Sequence, residues 1–239
     1  KNERFIMKIL CTICVRAGSS TVKNKNIKLI NNKPLVYYTI AQAKKSHIFE
    51  DIVVSTDSKI IQKITSKYGI KNFFLRPKHL STSKSPKVPV VRHSLRQAEK
   101  FYKKKYDIII DLDVTSPLRL IKDIKLAVKQ FIKNKSNLLF SVNHSRINPY
   151  FNSVEVKKDK SIKPLKTLGY IIKRRQDAPK VYDLNASIYI WKRKTLISKD
   201  TLFVKKNSMY IMPNNRGYEV DTESDFKIVS YLMKNDIFR

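Results

Sequence analysis

The chain is poor in several things. Its 239 residues hold four glycines, two cysteines and one tryptophan, and only 19 acidic side chains stand against 50 basic ones. The few glycines form neither a GxGxxG fingerprint nor a P-loop, so two common nucleotide signatures are excluded. Both cysteines, Cys11 and Cys14, fall in one mostly apolar run, Met7 to Val15. On a strand, residues three apart point to opposite faces, which argues against a disulfide or a shared metal. They read as two small buried hydrophobes, and a cytoplasmic protein fits that reading. No apolar stretch approaches the ~20 residues that cross a bilayer, so no membrane insertion is expected. The charged start and short apolar run, without a small-residue cleavage site, do not read as a signal peptide. Met7 is a candidate natural start, with Lys1 to Ile6 as an upstream extension. Repeats, low-complexity blocks and flexible linkers are also missing.

What is abundant is positive charge, +31 in all. Nucleic-acid readers concentrate charge on one element and use arginine for bases. Here only twelve of the 50 basic residues are Arg, and the lysines run along the whole chain. That pattern fits compositional drift, and no specific nucleic-acid partner is expected. A basic surface still attracts a polyanion such as a nucleoside triphosphate.

Strand and helix patterns alternate, which predicts a single α/β domain over residues 7–239, with a mainly parallel sheet covered by helices. The predicted strands are Met7 to Val15, Ile52 to Ser55, Asp107 to Asp113, Leu138 to Val142, Ser187 to Trp191 and Met209 to Met212. Pro34 opens a helix with Val36, Ile40 and Ala43 on one face. Ser58 caps a helix that Gly69 ends. Val91, Leu95 and Ala98 mark a third helical face, Ile124, Val128 and Phe131 a fourth, and Phe226, Val229 and Met233 the last. From about Asn143 to Asp183 the pattern weakens, as expected of an inserted lobe or partner-binding arm.

Ligands of open α/β sheets sit beyond the carboxyl ends of strands, and four polar clusters fall there. Arg16-Ala17-Gly18-Ser19-Ser20, with Lys23, Lys25 and Asn26, is a small-residue loop whose backbone N–H groups and cations suit phosphate; a surface turn in a Lys-rich protein is the plainer account. Ser55-Thr56-Asp57-Ser58 reads as a helix cap. In Asp111-Leu112-Asp113-Val114-Thr115-Ser116-Pro117-Leu118-Arg119, the two aspartates share a strand face and suit a hard cation, or simply end the strand. Glu219-Val220-Asp221-Thr222-Glu223-Ser224-Asp225 precedes the last helix. Capping explains Glu223 and Asp225, whereas Asp221 stands equally well as a cation ligand.

These clusters, in this order, resemble the acylneuraminate cytidylyltransferase family, from Ile9 to Leu232. The resemblance rests on Arg16-Ala17-Gly18-Ser19 through Lys25-Asn26, Lys33-Pro34-Leu35, Val54 to Ser58, Arg76-Pro77, Thr115 to Arg119, Arg175-Gln176, Asn185 to Tyr189 and Val220 to Glu223. It implies a Rossmann-like nucleotidyltransferase fold with helices on both faces. It also implies transfer of CMP from CTP to a nine-carbon, sialic-acid-like (nonulosonic) sugar acid, with pyrophosphate released. By the same resemblance, Arg16, Ala17, Gly18, Ser19, Lys25 and Asn26 hold the CTP phosphates, and Arg76 lies near the cytosine. Arg16, Lys25 and Asp221 serve catalysis. Asp221, with Glu219, binds Mg²⁺ or Mn²⁺. Asp113, Thr115, Ser116, Arg175, Gln176 and Asn185 hold the sugar acid. Residues 143–183 form a dimerisation arm of a homodimer. Three departures stand out. Ser20-Thr21 replaces a common Lys-Gly, with Lys23 able to supply the charge, Asp113 replaces a Gln, and Asp183 stands where some relatives have Arg. A CMP-Kdo synthetase, another sugar nucleotidyltransferase, or a non-catalytic RNA-binding relative are the alternatives.

Overall fold

The computed structural model describes residues 7–18 and 22–238. In chain order the strands are β1 Ile9–Cys14, β2 Leu29–Ile30, β3 Lys33–Pro34, β4 Asp51–Ser55, β5 Ile108–Leu112, β6 Leu138–His144, β7 Val154–Val156, β8 Ile162–Pro164, β9 Tyr182–Lys192 and β10 Asn207–Ile211. The α-helices are α1 Leu35–Ser46, α2 Lys59–Ser66, α3 Lys87–Tyr102, α4 Ile121–Lys133, α5 Arg193–Ser198 and α6 Glu223–Lys234.

Six strands form the central sheet in the order β10-β6-β9-β5-β1-β4. β1 pairs in parallel with β4 and β5, and β10 with β6, while β9 runs antiparallel between β5 and β6. The sheet is therefore mainly parallel, as the alternating pattern predicts, with one reversed strand. Both faces are covered, which explains why the strands read as near-continuous apolar runs. Ile9, Cys11 and Ile13 of β1 pack on one side with residues of α1, α2, α4 and α6. Leu10 and, at the margin, Cys14 pack on the other side with α3 and α5. The two cysteines thus face opposite layers, and burial pushes both thiols well up.

The helix signals act as expected. Ser58 Oγ accepts from Ile61 N–H at 3.3 Å and opens α2. The helix ends at Ser66, and Gly69, at φ +75°, closes the turn after it. The chain passes from β1 to β4 on one side and then crosses back to β5 on the other. This is the switch point at which a crevice opens beyond the carboxyl ends.

The weakly patterned segment differs at its ends from the expected 143–183. Asn143 and His144 pair with Asp183 and Tyr182 inside the central sheet, so β6 and β9 extend into it from both sides. The excursion itself spans 145–181 and carries the hairpin of β7 and β8 and a short helical turn at Arg175–Asp177. β9 is likewise longer than the expected Ser187 to Trp191. The extra residues were hidden by a bulge: the register shifts between Phe140 and Val142, and Ala186 sits at φ +44°. A bulge breaks the period-2 pattern on which strand prediction relies.

A buried ion pair fixes the chain just before the last acidic cluster. Asp123 of α4 is fully buried and takes a two-pronged contact from Arg216, at 3.0 and 2.8 Å, plus Tyr210 O–H at 3.0 Å and Leu120 N–H at 2.8 Å. Removing one partner of such a pair leaves a buried charge unmatched, so Arg216→Met is expected to cost roughly 3–5 kcal/mol in urea unfolding.

Candidate active site

Three strand ends build the first cavity. The turn after β1 supplies Arg16 and Gly18, the segment after β4 supplies Arg76, and the turn after β5 supplies Asp113 and Thr115. Lys25 and Asn26, from a short helical turn, line it too, and the cavity measures about 250 Å³. The loop is braced from below. Ala17 N–H donates to Asp57 Oδ1 at 2.8 Å, and Asn26 Nδ2 donates to the Arg16 carbonyl at 2.9 Å. Arg76 is buried, with Nε on Ser81 Oγ at 3.2 Å. Its Nη2 has no hydrogen-bond partner and lies 4.0 Å from Asp57, within ion-pair reach only. A buried guanidinium N–H left open at a cavity wall is an unsatisfied donor awaiting an acceptor.

A second cavity of about 570 Å³ lies beside the last acidic cluster. Asn143 and His144 of β6, Arg146, Asp183 and Asn185 of β9, and Tyr218, Glu219, Asp221 and Asp225 line it. Its wall is a buried amide network. Asn185 Nδ2 donates to Asn143 Oδ1 at 2.5 Å, Asn185 Oδ1 accepts from Ser141 Oγ at 2.6 Å, and Asn143 Nδ2 donates to the Met212 and Pro213 carbonyls. The positive φ of Ala186 is what lets Asn185 turn into this network.

The acidic segment joins the two cavities. Val220 N–H bonds the Thr115 carbonyl at 2.8 Å, and Lys25 Nζ donates to the Val220 carbonyl at 2.7 Å and to Asp221 Oδ1 at 3.0 Å. Asp221 is otherwise open, with 65% of its side chain exposed. Glu219 is pushed up to about 7 by burial and then by the charges of Asp113 and Asp221. Asp225 instead closes a capping box with Thr222, so its role as a helix cap is as the sequence reads.

Residues 10–238 match the family model described as cytidylyltransferase. The chain belongs to that family. It is 46% identical over 95% of both chains to the post-translational flagellin modification protein B of Campylobacter coli. It is 43% identical over 94% of both to a CMP-N,N'-diacetyllegionaminic acid synthase of Campylobacter jejuni, and 31% identical to a pseudaminic acid cytidylyltransferase of the same species, over 95% and 97%. A CMP:2-keto-3-deoxy-manno-octonic acid synthetase, solved with CTP, shares the fold at a TM-score of 0.72 and 16% identity, over 96% of this chain and 99% of that one.

In this cytidylyltransferase the expected residues are distributed unevenly. Arg16, Gly18, Lys25, Asn26, Arg76, Asp113 and Thr115 share the first cavity. Ala17 lies in the loop, and Ser19 lies outside the described residues. Glu219, Asp221 and Asn185 share the second. Asn185 has its amide fully engaged, so it shapes that cavity from within its wall. Ser116 is buried with Oγ on the Asn185 carbonyl at 3.3 Å and reaches neither cavity. Arg175 and Gln176 line neither cavity of their own chain; Arg175 bends back onto the Ser145 and Arg146 carbonyls at the arm's root. The pair of aspartates suited to a hard cation is occupied from inside. Lys87 Nζ lies 2.9 Å from both Asp111 and Asp113. Lys87, Thr82, Ser83, Ser85 and Arg146 went unnoticed in the sequence, because nothing separates one Lys or Ser from another in a chain so rich in them.

Gly217 backs onto the amide network. A Cβ built there would stand 1.9 Å from Asn143 Oδ1. Gly217→Ala is therefore expected to displace Asn143 and lower stability by about 1–3 kcal/mol, read as a fall in Tm.

Proposed function

We propose that this cytidylyltransferase joins CTP to a nonulosonic acid, giving a CMP-sugar and pyrophosphate. The observation that carries the reading is the pair of cavities meeting at Lys25, Glu219 and Asp221. One fits a nucleotide: the buried Arg76 guanidinium, with Nη2 unpaired, suits a base acceptor, and Arg16 and Lys25 suit phosphates. The second, larger cavity holds the acceptor sugar. The relatives' names favour the nonulosonic class, and within it the legionaminic type ahead of the pseudaminic type. A likeness to the octonic acid synthetase in fold alone gives no preference for that sugar.

Asp221 and Glu219 fit a hard divalent cation, Mg²⁺ or Mn²⁺. Both offer carboxylate oxygen, and Glu219, raised by burial first and then by the charges of Asp113 and Asp221, would be relieved by a cation. Among the described residues no group of three or more His, Cys, Asp or Glu is placed to hold a metal, so two protein carboxylates would share the ion with phosphate oxygens. Such an ion supplies charge neutralisation at the α-phosphate. The chain's own groups do the rest. Arg16 and Lys25 draw off the charge of the departing pyrophosphate, Arg76 fixes the base, and the Asn143–Asn185 wall orients the sugar so that its anomeric hydroxyl lies in line. Lys25 must exchange Asp221 for phosphate as CTP enters, which couples nucleotide binding to release of the carboxylate.

Pyrophosphate release tests this with CTP, UTP, ATP and GTP against legionaminic, pseudaminic and neuraminic acids and Kdo. Release confined to CTP with a nonulosonic acid is expected; release with Kdo alone, or salt-sensitive RNA binding with no release, would overturn the reading. Asp221→Ala is expected to lower kcat by about 10²-fold or more, Lys25→Ala to weaken CTP use, and Arg76→Met to raise the CTP KM at least about tenfold.

The arm of residues 145–181 mates with a second copy of the chain. Val154, Val156, Ile162 and Ile171 are exposed on it, a density of apolar surface that a lone chain rarely keeps. Arg175 and Gln176 on the same arm then serve the partner's sugar site. Light scattering is expected to give a dimer, and the double substitution of Ile162 and Ile171 by Asp a monomer with a raised sugar KM; a monomeric wild-type protein would remove the arm's role. Among the described residues no helix is long and apolar enough to cross a membrane.

A further inference from the structure

Lys87 is the first residue of α3, directly after the loop that carries Thr82, Ser83 and Ser85 into the nucleotide cavity. Its ammonium stands 2.9 Å from Asp111 Oδ2, 2.9 Å from Asp113 Oδ2 and 4.7 Å from the centre of the Tyr189 ring. The other oxygens are also taken. Asp111 Oδ1 accepts from Thr12 Oγ1 at 2.7 Å, and Asp113 Oδ1 accepts from Thr115 N–H at 3.2 Å and Oγ1 at 3.1 Å. Asp111 is fully buried. Two carboxylates two apart, at a strand's ligand end and on one face, are the arrangement that holds a divalent ion through oxygen.

We propose that Lys87 is a resident cation: its ammonium fills the place between Asp111 and Asp113 that a divalent ion would take, and so confines the catalytic metal to Glu219 and Asp221. Burial pulls Lys87 down, but the two carboxylates outweigh it and hold the group well above its usual range. The same ammonium keeps Asp113 ionised against its own burial. Lys87 therefore stays charged throughout the working pH range, and Asp113 is held as a fixed wall of the nucleotide cavity. Lys87 is a positioning residue. It also pins the Thr82 to Ser85 loop to the end of β5, so one side chain sets both the cavity's charge and its rim. Without the ammonium, the two close carboxylates are left uncompensated and open to a divalent ion.

The inference rests on the reading of Glu219 and Asp221 as the metal side, and the two arms of its test separate the failures. The first arm counts Mn²⁺ bound by the full chain, without nucleotide, by electron paramagnetic resonance. Lys87→Met is expected to bind one Mn²⁺ more per chain than wild type, and Lys87→Met/Asp113→Asn to lose it again. A folded Lys87→Met protein with no added ion would overturn the proposal, whether or not any sugar is turned over. The second arm keeps the ammonium and measures the Mg²⁺ concentration at half-maximal pyrophosphate release. Asp113→Asn is expected to stay within about twofold of wild type, whatever its kcat, whereas Asp221→Asn shifts the requirement by about tenfold or more. An Asp113→Asn shift as large as that of Asp221→Asn makes Asp113 a ligand and overturns the proposal. This arm carries the test should Lys87→Met not fold.

Discussion

The site hangs on one buried guanidinium. Arg119 is fully buried at the end of the turn that follows β5, and it reaches into three elements at once. Nη1 donates to the Asp113 carbonyl at 3.2 Å and to the Ser187 carbonyl at 2.6 Å, and Nη2 to Thr39 Oγ1 at 3.2 Å and Gln42 Oε1 at 2.9 Å. Gln42 returns the bond through Nε2 to the Pro117 and Arg119 carbonyls at 2.8 and 2.6 Å. The turn from Asp113 to Arg119 is thus clamped to α1 and to β9, although it contains no regular structure of its own. Burial lowers the guanidinium to about 10, so it stays charged. Lysine has no fork with which to make these parallel contacts. Because Thr115 in that turn carries the Val220 backbone, and Val220 carries Asp221, the position of the acidic segment follows from Arg119 as well.

Charge is arranged against this frame in two steps. The chain is broadly basic, and several of its 19 acids are placed at the strand ends and along the acidic segment. Asp111 and Asp113 are neutralised in part by Lys87, and Asp123 is matched by Arg216. Among the described residues Asp221 is met by Lys25 alone and keeps most of its side chain exposed. Lys87 and Arg216 hold their carboxylates within the frame, whereas Asp221 stands exposed beside Lys25. Glu219 is raised to about 7, by burial first and then by the neighbouring charges of Asp113 and Asp221.

Much of this was legible in the sequence, and the reason differs by region. The parallel strands were visible because they are buried on both faces, and the phosphate loop and acidic segment were visible because polar residues there interrupt apolar runs. β9 was half hidden: Ala186 at φ +44° breaks the alternation, so Tyr182 to Ala186 read as part of the insertion. Asp57 read as part of a helix cap, yet its carboxylate braces Ala17 from across the crevice. Asp111 and Asp113 were correctly placed on one face, but the cation between them is Lys87, two dozen residues upstream and one lysine among many. Pairings across such distances leave no local trace in a single sequence.

The second cavity has a charge problem that the single chain does not solve. Asp183, Glu219, Asp221 and Asp225 line it, against Arg146 and His144 as the basic groups. A sugar acid brought there is an anion entering an anionic wall, and CTP adds more negative charge next door. Two sources of positive charge are consistent with the structure: a divalent ion between Glu219 and Asp221, and Arg175 from an arm belonging to a second copy. Arg175 in its own chain is held at the arm's root by backbone carbonyls, beside Arg146. The arm's exposed Ile162 and Ile171 give it reason to leave water, and its root is fixed to the cavity by Asn143 and His144 in the central sheet. On the proposed reading, assembly through the arm and a divalent ion would both offset the same electrostatic deficit. In the structure Lys25 holds Asp221 at 3.0 Å, so the carboxylate that the proposal gives to the metal already faces a cation at the junction of the two cavities.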